Sequence, residues 1–417
     1  MDVKADGITE NNRFFRLKED VISRIDMSRD VSDDEIRDII RSSIYEMKKT
    51  ENISLLEREE LFQLLFYEVR RLGILEELVA DSSVTEIMVN GTNDIFIERD
   101  GAISKWDRHF ESVESLRSVI QQIVARSNRI VNEASPIVDA RLENGARVNV
   151  VMNPVALNGP ILTIRRFPDD PITMKDLIGF TSITPEAAEY MKRLVVSGYN
   201  IFVSGGTGSG KTTFLNALSE YIPSGERIVT IEDSAELQIR GIDNLVSLET
   251  RNANVEGLRE ISIRDLIKTS LRMRPDRIIV GEIRDGAALD FLSAANTGHD
   301  GSLCTGHANS AKDMLSRIET MVLMGMDLPL PAIRRQMASA IDIIVHLGRL
   351  RDKTRKVLEI TEMTGLENGE FVLNPLFRFI EEGETKRGLI KGNLKKTGRL
   401  SFVEKLQRCG LYDKDLI

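Results

Sequence analysis

The sequence predicts an α/β protein: a parallel sheet flanked by helices, behind a smaller α+β region and a helical N-terminal segment. Three observations carry that expectation. Beyond residue 176, short β-branched runs alternate with helical patterns, the rhythm of strand–helix–strand units. Between about residues 81 and 167 strand-like runs predominate, with one helical stretch among them. Before residue 75 the apolar residues recur only at helical spacing. A chain of 417 residues is too long for one core. The expected divisions are a helical bundle at 1–72, an α+β domain at 73–167, a linker at 168–176 and a larger domain at 177–417.

In chain order, Ser32-Asp-Asp-Glu35 has the residues of a capping box, and Ile36, Ile39, Ile40 and Ile44 follow at helical spacing. Ser54-Leu-Leu-Glu57 repeats the device before Leu61, Leu64, Leu65 and Val69. Each helix shows one apolar stripe, which another helix or a partner must cover. Residues 84–90 and 94–98 read as strands, Asp100-Gly101 as a hairpin turn before a strand at 102–106, and 112–127 as a helix. Residues 147–152 and 161–167 are further strands. Pro168-Asp-Asp-Pro171 then breaks the pattern, because proline lacks a ladder donor and fixes φ.

Composition narrows the function. A hydrophobic content of 41% excludes a wholly disordered chain. No run approaches the roughly 18 apolar residues that span a bilayer. The polar, acidic start has no secretory apolar region, and two cysteines, Cys304 and Cys409, cannot build a disulfide framework or a tetrathiolate zinc site. The chain therefore reads as cytoplasmic. A net charge of −9 with 5% aromatic residues argues against a nucleic-acid partner. From Lys386 to Arg408 there are eight basic residues and one acid, Glu404. This reads as a solvated tail, with a foothold on an anionic membrane or acidic partner as the sharper alternative.

The strongest chemical signal is Gly205-Gly206-Thr207-Gly208-Ser209-Gly210-Lys211-Thr212, a complete P-loop pattern. A strand at 199–204 precedes it and a helix at 213–221 follows, which is the setting the pattern requires. The glycines let successive backbone N–H groups turn inward around phosphate oxygens, and the helix N-terminus adds partial positive charge. Lys211 can reach the outer phosphates and the Thr212 hydroxyl can hold Mg²⁺, with Thr213 completing the candidate set.

Such a loop needs an acid at the end of a neighbouring strand. Arg277-Ile-Ile-Val-Gly-Glu282 offers one, behind a helix that opens with Ser262 and Asp265 and ends at Pro275. Arg227-Ile-Val-Thr-Ile-Glu232-Asp233, followed by Glu236, offers another set. Of the four histidines, His299 and His307 fall in Thr297-Gly-His299-Asp-Gly-Ser-Leu-Cys-Thr305-Gly-His307-Ala-Asn309, expected to be a loop that senses or orients phosphate. His109 and His346 read as structural.

In this order, Gly205 to Thr212, the segment 231–236, Arg274-Pro-Asp-Arg-Ile-Ile-Val-Gly-Glu-Ile-Arg-Asp285 and the segment 297–309 resemble four motifs of the type II/type IV secretion ATPases. Those motifs are the Walker A, Asp box, Walker B and His box. Leu72-Gly-Ile-Leu75, Ser83-Val-Thr-Glu-Ile-Met-Val-Asn-Gly91 and Gly398-Arg-Leu-Ser-Phe-Val-Glu-Lys-Leu406 extend the likeness to the CpaF-type branch of the tight-adherence pilus systems, over about residues 70 to 410. Gly306 departs from the branch, where isoleucine is more usual, and the tetracysteine insertion of some general secretion relatives is absent.

The resemblance implies a RecA-like P-loop NTPase motor at 177–417 behind a PAS-like α+β domain. It further implies a homohexamer that hydrolyses ATP with Mg²⁺ between subunits as the linker flexes. Lys211 and Thr212 would be phosphate and Mg²⁺ ligands, and Glu282 the water-activating or metal-shell acid. Glu232, Asp233 and Glu236 would position water or metal, and His307 would sense the γ-phosphate. An arginine should face the transferring phosphoryl group; the candidates are Arg141, Arg147, Arg165 and Arg166, the last two being best placed. The implied partners are further copies of the chain and inner-membrane platform proteins of a pilus or secretion system. The implied location is the inner face of the cytoplasmic membrane, reached through those partners, with no nucleic acid. The alternatives are a conjugation (DNA-transfer) ATPase and a nucleotide-binding regulator without turnover.

Overall fold

The computed structural model describes residues 3–25, 31–51, 53–70, 72–99, 101–127, 129–166, 170–251, 259–385 and 388–414. The chain divides into two compact units, Met1–Asp169 and Asp170–Ile417. No helix among the described residues is long and apolar enough to cross a membrane.

The first unit opens with three helices, α1 (Val3–Arg24), α2 (Asp33–Thr50) and α3 (Leu55–Arg70). Both capping boxes form: Ser32 Oγ accepts from Glu35 N at 3.3 Å, and Ser54 Oγ from Glu57 N at 3.2 Å. The apolar stripes largely cover one another, with Leu17, Val21, Ile36, Ile40, Ile44, Leu61 and Leu65 in one core, while Leu64 of the expected stripe stays exposed. A short helix α4 (Glu76–Ala80) leads into a six-stranded antiparallel sheet. Its strands are β1 (Val84–Asn90), β2 (Asp94–Arg99), β3 (Ala102–Lys105), β4 (Ile137–Arg141), β5 (Arg147–Val151) and β6 (Ile161–Arg165), in the order β3-β2-β1-β6-β5-β4. Helix α5 (Val113–Arg126) packs Leu116, Ile120 and Ile123 with the inward residues Ile87, Val89, Val148 and Ile164. Strand β4 was not anticipated, since loop-forming residues surround it. Asp100 and Phe167, the expected hairpin residue and strand end, lie outside the described residues, as do Pro168 and Asp169 of the expected linker. That linker's last residues enter α6 (Met174–Gly179), whose capping box is Thr173 with Asp176.

In the second unit a nine-stranded sheet runs β15-β14-β13-β12-β7-β11-β10-β8-β9. Six strands are parallel neighbours: β7 (Ile201–Gly205), β8 (Ile228–Glu232), β9 (Leu245–Glu249), β10 (Arg277–Val280), β11 (Leu303–His307) and β12 (Ile343–Arg349). Nearly every residue of β7, β8 and β10 is buried, as expected for strands covered on both faces. Helices α7 (Pro185–Val196) and α8 (Lys211–Ser219) belong to one apolar core; α9 (Ile263–Ser270), α10 (Ala287–Ala295), α11 (Ala311–Gly325) and α12 (Leu330–Ala340) belong to another. Helix α9 stops at Ser270, before the expected Pro275.

Three antiparallel strands, β13 (Arg355–Glu367), β14 (Glu370–Glu384) and β15 (Ile390–Lys396), extend the sheet beyond β12. This corrects the reading of 386–408 as a solvated tail. Lys386 and Arg387 lie outside the described residues, but β15 and α13 (Glu404–Arg408) are folded, and Leu394, Leu400 and Leu406 are buried. Lys405 Nζ donates to Asp342 Oδ2 at 2.8 Å, Asp300 Oδ1 at 2.9 Å and Gly198 O at 3.0 Å. The acidic partner of this lysine belongs to its own chain.

Candidate active site

Parallel order brings the carboxyl ends of β7, β11, β10 and β8 to one edge of the sheet, the usual ligand-binding edge of such folds. The P-loop joins β7 to α8 at this edge. Gly208 and Gly210 have φ of +70° and +92°, which side chains resist. A Cβ on Gly205 would lie 2.5 Å from both Leu347 O and Ser209 Oγ, so β12 closes tightly over the loop's first residue. Ser209 is buried and its Oγ has no hydrogen-bond partner among the described residues. Thr207 is exposed beside Gly206, and Thr212 and Thr213 are half-buried on the first turn of α8.

Lys211 is 7% exposed, and its Nζ donates to Gly206 O at 3.1 Å. That burial pulls the ammonium below its ordinary pKa, against the charge of Glu282. The same Nζ lies 3.3 Å from His307 Nδ1. His307 ends β11, and its Nε2 is 2.9 Å from Glu282 Oε1. The contact lacks hydrogen-bond alignment, so Glu282 Oε1 is a buried acceptor still wanting a donor or a cation. Arg284 Nη2 donates to Glu282 Oε2 at 2.9 Å, and Arg284 Nη1 lies 3.6 Å from Asp233 Oδ2. Burial raises the Glu282 carboxyl, yet the Arg284 hydrogen bond and the nearby cations hold it below its usual range. Burial also lowers the His307 imidazole, so it is neutral at pH 7. Thr305 Oγ1 donates to Gly281 O at 2.6 Å and fastens β11 to the Glu282 turn.

Glu232 is 3% exposed and turned toward its own chain: its Oε1 accepts from Glu236 N at 2.9 Å and Leu237 N at 3.0 Å. Burial pushes its carboxyl up to about 7, despite those two bonds. A Cβ on Gly281 would stand 2.8 Å from Glu232 Cγ, so that glycine makes room for the carboxylate. Glu236 gives Glu232 its backbone N–H, and its half-buried carboxylate acts on Arg284 through space.

Lys211, Glu282, His307 and Asp233 thus come together around Arg284. Arg141, Arg147, Arg165 and Arg166 belong to the other unit. Arg141, Arg147 and Arg165 stand directly opposite one another across β4, β5 and β6, with Glu86 next in the same rung. Arg166 donates to Asp81 O. The tract 297–309 is corrected from a loop to a turn followed by β11. His299 lies before that strand and His307 at its far end, and His299 Nδ1 instead contacts Ala294 O at 3.1 Å. Arg284 was missed. Its signal was its place two residues after Glu282 in the same acid-bearing segment.

The family model described as Type II/IV secretion system protein matches residues 68–393. The chain belongs to that family. A putative conjugal transfer protein of Mycobacterium tuberculosis is 34% identical over 301 residues, covering 71% of this chain and 85% of the relative. Type IV secretion system protein VirB11 of Brucella suis is 33% identical over 300 residues, covering 64% and 81% respectively. Among solved structures, the pilus retraction motor PilT with bound ADP matches at a TM-score of 0.51 over 82% of this chain and 88% of that one, with 18% identity, a likeness of fold. Family membership and the complete P-loop together make this secretion protein an ATPase.

Proposed function

We propose that the protein is a hexameric motor whose ATP hydrolysis drives assembly of a tight-adherence type IV pilus, or protein secretion. It works at the cytoplasmic face of the membrane through platform proteins. The observation that carries the catalytic part is the cluster of Lys211, His307 and Glu282 at the ends of β7, β11 and β10. The motif likeness over residues 70 to 410 supports the pilus branch.

The donor set fits a magnesium nucleotide, because Ser209 Oγ and Glu282 Oε1 are buried and want partners. Thr212 and Glu282 would hold Mg²⁺, which supplies charge neutralisation on the phosphates. The P-loop N–H groups and Lys211 bind and orient the phosphate chain. Glu282, ionised at neutral pH, accepts a proton from water or orders the metal shell. Neutral His307 carries one ring N–H: with Nδ1 facing the Lys211 ammonium, that proton sits on Nε2 toward Glu282, so His307 would sense the γ-phosphate through Lys211 and Glu282. Arg284 and Asp233 hold Glu282 in place. Glu232 acts as a positioning residue that fixes the 232–237 turn, and Glu236 steadies Arg284 from that turn. Arg165 and Arg166, with Arg147 and Arg141 in reserve, would reach the phosphates of a neighbouring subunit.

A second reading, a conjugation (DNA-transfer) ATPase, is favoured by the Mycobacterium relative, a putative conjugal transfer protein. The net charge of −9 opposes it. The test is ATP turnover of wild type beside Glu282→Gln, with mass from light scattering with and without nucleotide. Turnover falling at least about a hundredfold, with nucleotide still bound and a six-subunit mass, supports the motor. Undiminished turnover in the variant removes Glu282 from the mechanism, a monomeric mass removes the ring, and many-fold stimulation by single-stranded DNA moves the protein to the second reading.

A further inference from the structure

Arg355, the first residue of β13, reaches the phosphate loop from the far end of the chain. Its Nε donates to Gly208 O at 2.9 Å, and its Cδ lies 3.5 Å from where a Cβ on Gly210 would stand. These are the two glycines of the loop with left-handed backbone. A carbonyl and the following N–H share one planar trans peptide and point in opposite directions. Fixing Gly208 O on the Arg355 side therefore turns Ser209 N–H back across the loop, where it faces Gly206 O at 3.3 Å.

The arginine is itself anchored. Ser182 Oγ donates to Arg355 O at 2.8 Å, and Val357 N donates to Ser182 O at 2.8 Å. Between them, Lys356 Nζ donates to Thr181 O at 2.8 Å and Phe180 O at 3.2 Å. Thr181 has a φ of +55°, which a β-branched residue rarely adopts, so surrounding bonds must hold this turn in shape. The turn directly follows α6, the first helix of the second unit.

We propose that Arg355 is a positioning residue of the ATPase, holding the Gly208–Ser209 peptide with its carbonyl on the Arg355 side and its N–H turned across the loop, and tying that peptide to the turn at 180–182. The proposal rests on the reading of this loop as the ATP site. It makes the loop's readiness for nucleotide depend on where the segment after α6 sits. Arg355 acts through Gly208 rather than on the reacting atoms.

The donor alone matters in this scheme, and two variants separate it from the charge. In Arg355→Gln the side-chain amide nitrogen takes the place of Nε and keeps the bond to Gly208 O. In Arg355→Met the length stays and the donor is lost. Steady-state ATP hydrolysis should show KM raised about 2- to 10-fold in the methionine variant, the worth of one ordinary hydrogen bond. Its kcat should stay within about twofold, and the glutamine variant should match wild type. An unchanged KM in Arg355→Met overturns the proposal. So does an equal loss of kcat in both variants, which would mean that the guanidinium charge touches the nucleotide. Arg355 is exposed, so neither variant should lose the fold, and thermal melting checks this. Lys211→Ala runs alongside: a wild type that turns over no faster than Lys211→Ala removes the ATP-site reading itself, whereas normal wild-type turnover with an indifferent Arg355→Met removes only the role of Arg355.

Discussion

Replacing Glu232 by glutamine separates its structural work from chemistry and has a sign that can be worked out. The carboxyl is pushed up to about 7 from an ordinary 4.5, with burial as the first cause. A group whose folded-state pKa is raised contributes stability fully below its unfolded value, and loses it as pH climbs through the folded value. The loss therefore runs from about pH 4.5 to about pH 7. At roughly 1.4 kcal/mol per pKa step it amounts to about 3 kcal/mol. Glutamine keeps an oxygen for Glu236 N and Leu237 N and cannot ionise, so Glu232→Gln should lose none of it. Its extra N–H₂ adds a cost that does not vary with pH. The assay is hydrogen exchange by mass spectrometry over residues 228–238, with wild type and variant side by side so that intrinsic exchange cancels. The protection ratio of variant to wild type should grow roughly a hundredfold between pH 5 and pH 8. A ratio that stays constant across that range would refute the reasoning. Turnover should fall far less than in Glu282→Gln, since Glu232 reaches only its own backbone.

Two further perturbations probe the frame around the site. Lys405→Met leaves Asp342, already raised by burial, without its cation while Asn200 N still donates to it at 2.7 Å. Urea unfolding should show a loss of about 2 kcal/mol at neutral pH. The deficit should shrink as pH falls and Asp342 takes up its proton, and Asp342→Asn in the same chain should restore most of the loss. Gly306→Ile restores the residue more usual in the pilus branch, but a Cβ there would stand 2.8 Å from Met314 Cε and 2.9 Å from Phe202 Cε1. Thermal melting should report about 1–3 kcal/mol of destabilisation from overpacking, and Met314→Ala should relieve part of it by removing the nearest atoms.

The parts of the site legible in the sequence are those written in consecutive residues. The P-loop declares itself because glycine, lysine and threonine must occur at fixed spacing, and the capping boxes at Ser32, Ser54 and Ser262 are equally local. Pairings between distant segments left no such mark. Nothing near Arg355 points to Gly208, 147 residues away, and nothing near Glu232 shows that it turns to its own amides instead of the site. His299 and His307 looked like a pair because sequence distance hides the strand between them. The basic C-terminal stretch misled because Leu394, Leu400 and Leu406, which decide its burial, are scattered among charges. Gly306 alone gave no warning that Met314 fills the space a side chain would need.

Glu362, 2% exposed on β13, accepts from Asn374 Nδ2 at 2.8 Å and from the backbone N–H groups of Ser401 and Phe402 at 2.8 Å each. The stretch around Ser401 is thus the counterpart of a charge already committed to the interior of a sheet that also carries the P-loop strand. A stop codon just before Ser401 would spare the P-loop, Glu232, Glu282 and His307 segments and still strand that carboxylate. Genetic screens of this protein should find late nonsense alleles as severe as early ones, and a truncated copy should be cleared by cellular proteases before any loss of catalysis could be measured.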